Sequence, residues 1–392
     1  METPKFSILI HYSEIGLKKN NRRYFEKIFV RNISNHIRNL DHKRIRLISA
    51  RVFIENINPK DWDMFKLRLR RVMGLSSAVL MLETLSDFET IRDASNFILK
   101  NVKFNSFRVT TRRHDKNFKK KSIDVNIELG SIIQKRTQAK VQLSNPDLNL
   151  IIEILKDKSY TGYQKIVGYG GLPSKSQEKV ISLLSSGIDS PVSSFEMIKR
   201  GVNVSFLHFH SYPATSKQSI DNVKELVDVL TTYQLQSNLF CIPLLEIQEK
   251  IMKEIPEKFW IIFFRRSMLK ITNILAVKLN SIGIITGDNI GQVASQTLSN
   301  IRAISEASEL PIIRPLSGMN KVDIINRAKD IGTYDISIKP YQDCCSYFVP
   351  IHPETKAKFN EVLDLARKLD LKKEYEKAIN QIEQIKIKFL KD

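Results

Sequence analysis

The chain has 392 residues, of which 42% are hydrophobic and 27% are charged, a composition typical of folded globular proteins. Three cysteines are too few for a disulfide framework, and no apolar stretch reaches membrane-spanning length, which excludes a disulfide-stapled secreted domain and an integral membrane protein. The formal net charge of +20 indicates a polyanionic partner, and residues 1–5 lack the features of a signal peptide, so we expect a cytoplasmic protein.

The first 168 residues are predicted to form two α+β segments. Apolar residues at helical spacing predict a helix over 21–40, between strands at 6–10 and 45–54. Further helices are predicted at 62–72, 88–100 and 123–138, alternating with strands at 77–83, 107–110 and 149–155. A glycine-rich stretch at 161–176 is the best candidate for a linker. We therefore place domains at residues 1–60 and 61–168, a linker at 169–176 and a third domain at 177–392.

A run of basic residues lies between the strand at 107–110 and the helix that follows it. Its Lys and Arg side chains are candidates for RNA phosphate contacts: Arg112, Arg113, Lys116, Lys119, Lys120 and Lys121. Residues 1–172 hold 33 Lys and Arg against 17 Asp and Glu, whereas residues 173–392 hold 29 against 25. We therefore expect an RNA partner rather than an anionic membrane, with a merely solvated loop as the alternative. Residues 61–168 resemble the THUMP domain, an RNA-binding module of tRNA-modifying enzymes.

After residue 176 the pattern changes to alternating strands and helices. Strands are predicted at 179–184, 203–209, 238–242, 282–286 and 311–314, which indicates a mostly parallel, doubly wound sheet. Ligands of such sheets bind beyond the carboxyl ends of the strands. The charged residues from about 354 to 392 are predicted to be helical and to pack on this domain.

An apolar strand, a short polar loop and a helix start follow one another at residues 179–191. Free N–H groups at a helix N-terminus bind anions, and Ser190 suits the N-cap with Pro191 in the first turn. A carboxylate in such a phosphate-binding loop predicts Mg²⁺ beside the phosphates. The loop resembles the SGGxDS loop of N-type ATP pyrophosphatases, which split ATP into AMP and pyrophosphate. Its candidate ATP-binding residues are Ser185, Ser186, Gly187, Asp189 and Ser190.

A second polar segment begins at Gly287, at the end of a predicted strand. Gln292, Ser295, Gln296 and Ser299 would lie on one side of a helix, and no charged residue occurs between residues 289 and 301. We predict an uncharged hydrogen-bonding face that suits a nucleobase or an RNA backbone. An ordinary polar helix surface is the alternative.

Together, the basic N-terminal domains, the loop at 185–190 and the segment 287–298 resemble the ThiI family of tRNA 4-thiouridine synthetases over essentially the whole chain. The resemblance implies a multidomain protein of α+β and α/β parts: an N-terminal ferredoxin-like domain, a THUMP domain and a doubly wound, parallel-sheet ATP pyrophosphatase (PP-loop) domain. It also implies ATP contacts at Leu183, Leu184, His208, Phe209, Arg265, Gly287 and Gln296.

The expected activity is formation of 4-thiouridine with ATP and Mg²⁺. The C4 oxygen of a tRNA uridine would be adenylated and then replaced by sulfur, with Asp189 and Cys344 as catalytic residues. The resemblance implies tRNA and a sulfur-donor protein as partners, a homodimer as the assembly, and a second role in thiazole synthesis for thiamine. The alternatives are a different PP-loop tRNA-modifying enzyme and a tRNA-binding protein with an inactive nucleotide fold.

Two adjacent cysteines follow Pro340 in a predicted loop. In the resembled family one cysteine of this loop takes part in sulfur transfer, and ungapped reading from Gln296 places it at Cys344, with Cys345 as the alternative. Long family members carry a C-terminal rhodanese domain, and we expect a short form without one, so the sulfur carrier stays open. A zinc site at His208 and His210 is not expected, because no cysteine or carboxylate cluster lies nearby in sequence.

Overall fold

The structure is a computed structural model that describes residues 4–341, 348 and 350–390. The chain divides into two compact units, Met1–Gly171 and Leu172–Asp392. This division falls within the stretch 169–176. There the Gly170 N–H donates to the Leu75 carbonyl at 2.9 Å in the first unit, and the Leu172 N–H donates to the Lys199 carbonyl at 3.0 Å in the second.

The first unit is built on one large sheet. Its strands are β1 (Phe6–Tyr12), β2 (Arg44–Ile48), β3 (Arg51–Ile57), β4 (Leu75–Leu85), β5 (Ser106–Arg113), β6 (Lys140–Val141), β7 (Leu148–Ile154), β8 (Lys158–Gly162) and β9 (Lys165–Val167). Their order is β2-β3-β1-β4-β8-β7-β5-β6, and β9 also pairs with β4. Its helices are α1 (Arg22–His36), α2 (Trp62–Leu69), α3 (Phe88–Ile98) and α4 (Ser122–Thr137).

Local sequence explains where these helices begin. At α3, Asp87 accepts a hydrogen bond from the Thr90 N–H at 2.9 Å, an N-cap that satisfies one free donor of the first turn. At α4, Asp124 reaches back to accept from the Lys121 N–H at 2.9 Å. Helix α1 buries the apolar face predicted within residues 21–40, which includes Phe25, Phe29 and Ile33.

A strand prediction and a linker prediction in this unit are corrected. The predicted strand at 45–54 is a hairpin of β2 and β3, which turns at Ser49 and Ala50 with φ of 47° and 65°. Part of the glycine-rich stretch predicted as a linker forms β8 and β9. Gly162 lies so close to β4 that a Cβ would stand 2.0 Å from the Leu80 carbonyl oxygen, so this glycine serves strand packing rather than flexibility.

The second unit is the predicted doubly wound sheet. Its strands are β10 (Lys179–Leu183), β11 (Asn203–His210), β12 (Gln236–Pro243), β13 (Ile284–Ile285), β14 (Ile312–Ile313) and β15 (Glu383–Lys388). Their order is β14-β13-β10-β11-β12-β15, and every pair is parallel except β12 with β15. Its helices are α5 (Asp189–Lys199), α6 (Gln218–Gln234), α7 (Leu245–Glu254), α8 (Trp260–Leu279), α9 (Leu298–Ser305), α10 (Lys321–Ile331), α11 (Tyr334–Ser337), α12 (Phe359–Lys368) and α13 (Lys372–Asn380).

One apolar core of the second unit lies between the sheet and helix α8. Ile181, Leu207 and Ile284 of three neighbouring strands are fully buried together with Phe264 and Ile271 of α8. Among the helices that the structure describes, none combines the length and apolarity needed to cross a membrane.

Two helix predictions in this unit are also corrected. The C-terminal stretch, predicted to be helical, ends in β15, which adds an antiparallel edge strand to the sheet. The polar helix predicted from Gly287 is wrong, because residues 287–297 form a loop with one 3₁₀ turn at Ala294–Gln296, and α9 starts only at Leu298. Gln292 and Ser299 therefore do not share a helix face.

Candidate functional site

A pocket of about 280 Å³ opens in the second unit at the carboxyl ends of β10, β11 and β13. Eleven of the twelve residues predicted to bind the nucleotide line it: Leu183, Leu184, Ser185, Gly187, Asp189, Ser190, His208, Phe209, Arg265, Gly287 and Gln296. Leu207, Met268 and Leu269 add apolar surface to the same pocket. A pocket of this volume, with both apolar and polar residues in its lining, suits a nucleotide.

The loop between β10 and α5 is held closed by its own serines. The Ser190 hydroxyl accepts from the Ser185 N–H at 2.9 Å and donates to the Ser185 carbonyl at 3.1 Å. Helix α5 begins at Asp189, so Ser190 lies inside the first turn and is not the predicted N-cap. This arrangement places the first turn of α5, with its free N–H groups, at the pocket.

Ser186 is the predicted nucleotide-binding residue that does not line the pocket. Its side chain is buried, and its hydroxyl donates to the Ser219 carbonyl in α6 at 3.0 Å. Ser186 therefore anchors the loop to the neighbouring helix.

Gly287 allows the end of β13 to approach α5. A Cβ at this position would lie 2.8 Å from the Ser190 nitrogen and 2.9 Å from the Ser190 Cα, closer than Cβ atoms approach their nonbonded neighbours in proteins. Because both neighbours are backbone atoms, neither can swing away. Only glycine permits this contact, which brings residues 286–288 to the pocket.

Asp189, the predicted catalytic carboxylate, lies at the edge of the pocket. Its Oδ1 accepts from the Lys321 ammonium at 2.6 Å, and its Oδ2 accepts from the Gln292 side-chain amide at 3.0 Å. Sequence reasoning missed Lys321, which stands at the start of α10 and 132 residues from Asp189. No local pattern connects the two residues.

A buried carboxylate, Asp288, holds two arginines on the pocket wall. Arg265 donates to one of its oxygens, while the other accepts from the Arg314 Nε at 3.1 Å and from the Thr286 hydroxyl at 2.8 Å. Burial by itself would raise the pKa of Asp288, but the guanidinium of Arg265, with help from Thr286 and Arg314, holds it below its usual range. Arg265 was predicted to face a phosphate, whereas Asp288 and Arg314 were not singled out.

His208 is held neutral inside the pocket wall. Burial lowers the pKa of His208 to about 4, although its Nδ1–H donates to the Leu184 carbonyl at 2.9 Å. Its Nε2 is then an acceptor, and the described residues give it no hydrogen-bond partner. Within the described part of the chain, no group of three or more His, Cys, Asp and Glu side chains could hold a metal ion.

The predicted RNA-binding loop has two kinds of basic residue. Arg113 donates to the carbonyls of Phe118 and Lys120, and the Lys120 ammonium lies 2.6 Å from the Glu128 carboxylate, so both shape the loop. The remaining lysines of the loop point to solvent: Lys116, Lys119 and Lys121.

The sixth basic residue, Arg112, belongs to a cluster around a fully buried carboxylate. Glu153 of β7 accepts from Arg112 at 3.2 Å and contacts His114 at 2.7 Å, Arg51 at 3.4 Å and His11 at 3.4 Å. Burial alone would raise the pKa of Glu153, but hydrogen bonds from His11 and His114 and the charge of Arg51 hold it below its usual range. Glu153 thus ties β1 and β3 to β5 and β7.

The predicted sulfur-transfer residues Cys344 and Cys345 lie outside the described residues. Cys241, on β12, is buried, and burial raises the pKa of its thiol to about 12. Cys241 therefore stays a thiol at neutral pH and does not supply a reactive thiolate.

The parallel sheet, the short loop between β10 and α5 and the pocket beside them define a nucleotide-binding protein of the PP-loop class, joined to an N-terminal α+β unit. The family model described as "Thiamine biosynthesis protein (ThiI)" matches residues 175–371. Models of the ThiI ferredoxin-like domain and of the THUMP domain match residues 7–78 and 86–161. The chain belongs to the ThiI family, and the predicted fold class is confirmed.

Relatives of known sequence match along nearly the whole chain. A probable tRNA sulfurtransferase of Geobacillus kaustophilus is 36% identical over 97% of this chain and 95% of its own length. One from Caldanaerobacter subterraneus is 38% identical over 96% of this chain and 98% of its own length. A crystal structure of a 4-thiouridine synthetase–RNA complex with bound ATP superposes with a TM-score of 0.85 at 33% identity, covering 98% of this chain and 100% of that one.

The predicted domain limits at residues 60 and 168 stay predictions. The ferredoxin-like match runs past residue 60 to residue 78 and therefore includes the start of β4. Strand β4 pairs with β1 on one side and with β8 and β9 on the other, so one strand joins both parts of the first unit.

Proposed function

We propose that this protein is an ATP-dependent tRNA sulfurtransferase that makes 4-thiouridine. The observation that carries the proposal is the pocket at the carboxyl ends of β10, β11 and β13, where eleven predicted nucleotide-binding residues meet. The relatives named as tRNA sulfurtransferases and the related synthetase with RNA and ATP support the same reaction. ATP binds in this pocket, and tRNA is the second substrate.

The reaction has two steps that use the pocket differently. In the first, the C4 oxygen of uridine forms a bond to the α-phosphorus of ATP and pyrophosphate leaves. In the second, sulfur forms a bond to C4, the C4–O bond breaks and AMP leaves. Adenylation turns a poor leaving oxygen into a good one, which is why ATP is consumed. The N–H groups at the start of α5 and the guanidinium of Arg265 stabilise the charge that develops on the phosphates.

The residues at the pocket edge fit Mg²⁺ bound together with ATP. Magnesium is commonly held by one or two carboxylates together with substrate phosphates, rather than by a cage of protein ligands. Asp189 offers such a carboxylate at the pocket edge, where its side chain is 21% exposed and contacts Lys321 and Gln292. The Asp288 side chain is only 6% exposed and is held by two guanidinium groups and the Thr286 hydroxyl. Asp189 would hold the ion, which would neutralise phosphate charge when bound.

The tRNA is proposed to bind the basic first unit through its exposed loop lysines, Lys116, Lys119 and Lys121. Cys344, or Cys345 beside it, is proposed to take part in sulfur transfer from a donor protein. A homodimer, a cytoplasmic location and a second role in thiazole synthesis are further expectations from the family resemblance.

The proposal is tested by incubating the purified protein with unmodified tRNA transcript, ATP, Mg²⁺ and excess sulfide. We expect tRNA-dependent release of pyrophosphate and 4-thiouridine in the digested tRNA, detected by mass spectrometry. Pyrophosphate release with a different modified nucleoside would identify another PP-loop enzyme. Tight tRNA binding without pyrophosphate release would identify a binding protein with an inactive nucleotide fold.

A further inference from the structure

Asp288 joins two arginines that come from distant parts of the second unit. Arg265 lies on α8 and Arg314 follows β14, and each donates to a different oxygen of the same carboxylate. A second bond fixes each guanidinium: Arg265 donates to the Ser295 hydroxyl at 3.3 Å, and Arg314 donates to the Ser305 hydroxyl at 2.7 Å. Both arginine side chains line the pocket.

Both guanidinium groups of this cluster are held on the pocket wall. A guanidinium is protonated at any physiological pH, so each of the two places a positive charge beside the pocket. Their side chains are only 18% and 17% exposed, so water screens these charges poorly. A buried ion pair is by itself weak evidence for a role in stability. Two fixed guanidinium groups on the wall of a nucleotide pocket instead suit the oxygens of a polyphosphate.

We propose that Asp288 is a positioning residue that aims Arg265 and Arg314 together at the polyphosphate of ATP, and that Arg314 is a second phosphate-binding cation of this site. This inference rests on the proposed function only in that ATP is the ligand of the pocket. Asp288 acts through the two arginines and touches neither ATP nor the reacting uridine.

The geometry explains why a carboxylate is needed between the arginines. Without it, two like charges on one wall would repel each other, and their long side chains would take up many rotamers. With it, both planar groups are fixed before ATP arrives. The entropy lost in ordering the two side chains therefore does not weaken ATP binding or raise the reaction barrier. Thr286 donates to the same carboxylate and fixes its rotation.

The test compares substitutions that separate charge from shape. Asp288→Asn keeps the volume and removes the charge, and Asp288→Glu keeps the charge. Arg314→Lys keeps the charge and loses the planar fork. Asp364→Asn, which breaks an exposed pair with Arg367 on α12, is the matched control. For each variant we would measure kcat/KM for ATP, KM for tRNA, equilibrium ATP binding by calorimetry and the unfolding temperature.

We expect Asp288→Asn and Arg314→Lys to lower kcat/KM for ATP by about 10- to 100-fold, the usual loss for a hydrogen bond to a charged group. Asp288→Glu should retain most activity, and Asp364→Asn should match the wild type. KM for tRNA should be unchanged in all of them, which a general loss of structure would not allow. The double substitution Asp288→Asn with Arg314→Lys should lose much less than the product of the two single losses, because Arg314→Lys then removes a guanidinium that Asp288→Asn already leaves unpositioned.

The inference would be overturned if the losses of kcat/KM for ATP multiply in the double variant. It would also be overturned if kcat/KM for ATP in Asp288→Asn stays within twofold of the wild-type value. If Asp288→Asn does not fold, an unchanged kcat/KM for ATP in Arg314→Lys overturns it just as well. A wild-type protein that releases no pyrophosphate would refute the proposed function instead. ATP binding measured by calorimetry then tests the inference by itself. The inference predicts that Asp288→Asn binds ATP about tenfold more weakly than Asp364→Asn.

Discussion

The basic loop between β5 and α4 gives a prediction whose size follows from the structure. Of its six basic residues, Arg113 and Lys120 bond to the protein and Arg112 contacts Glu153, so the three exposed lysines are the ones expected to meet phosphates. Replacing Lys116, Lys119 and Lys121 by Gln should therefore remove about three phosphate contacts. Each contact contributes about 0.7 to 0.9 to the slope of log K against log salt, so the slope should fall by about 2 to 3.

The assay is tRNA binding by the purified protein across a range of salt concentrations. Between about 50 and 200 mM salt, the affinity of the triple variant should fall about 20- to 40-fold less than that of the wild type. ATP binding should be unchanged, because every described residue that lines the ATP pocket belongs to the second unit. The matched control replaces Lys368, Lys372 and Lys373, three exposed lysines of α12 and α13, and makes the same change in net charge. Equal slopes for the wild type and the loop variant would refute the assignment, as would equal changes in the loop and control variants.

Four further substitutions test separate parts of the molecule. Asp189→Ala should abolish pyrophosphate release and leave tRNA binding nearly intact, and near-normal turnover would remove Asp189 from the mechanism. Gly287→Ala should lower the free energy of unfolding by about 1–3 kcal/mol and remove most ATP binding, because its Cβ would press on the backbone of Ser190. A fully stable, active variant would contradict the close approach. Cys344→Ser should still release pyrophosphate but form no 4-thiouridine with a persulfide donor. If only Cys345→Ser loses 4-thiouridine formation, the sulfur-transfer residue is Cys345 instead. Glu153→Gln should lower the free energy of unfolding by about 3 kcal/mol at neutral pH. Because the pKa of Glu153 is lower in the folded chain, this contribution is lost as pH falls through the folded pKa, so the two proteins should converge in acid, and a constant gap would contradict the cluster.

The location of the pocket could be predicted from sequence because it depends on local patterns. The strand before residue 185 and the strand before Gly287 were both recognised from apolar runs, and parallel strands bring their carboxyl ends to one edge. Of the twelve residues predicted from this rule and from the family resemblance, eleven line the pocket.

The partners within the site could not be predicted, because they are set by tertiary packing. Lys321 reaches Asp189 across 132 residues, and Arg314 meets Asp288 only because β14 lies beside β13. The Glu153 cluster likewise joins side chains of β1, β3, β5 and β7. The apolar run around Glu153 predicts a buried strand but does not identify the partners of its carboxylate.

Local errors have local causes. The turn between β2 and β3 uses left-handed Ser49 and Ala50, which carry no glycine or asparagine signal, so one long strand was predicted. The polar run after Gly287 has helical spacing but forms a loop whose side chains bond to the pocket: Gln292 to Asp189, and Ser295 to Arg265. Functional contacts override the weak helical preference there.

The central claim is that this protein makes 4-thiouridine in tRNA at the pocket at the carboxyl ends of β10, β11 and β13. Its most direct test is nucleoside mass spectrometry of bulk tRNA from the source organism after deletion of this gene, with complementation by the wild type or by Asp189→Ala. The account predicts that 4-thiouridine disappears on deletion, returns with the wild type and does not return with Asp189→Ala. Normal 4-thiouridine in the deletion strain, or full restoration by Asp189→Ala, would contradict it.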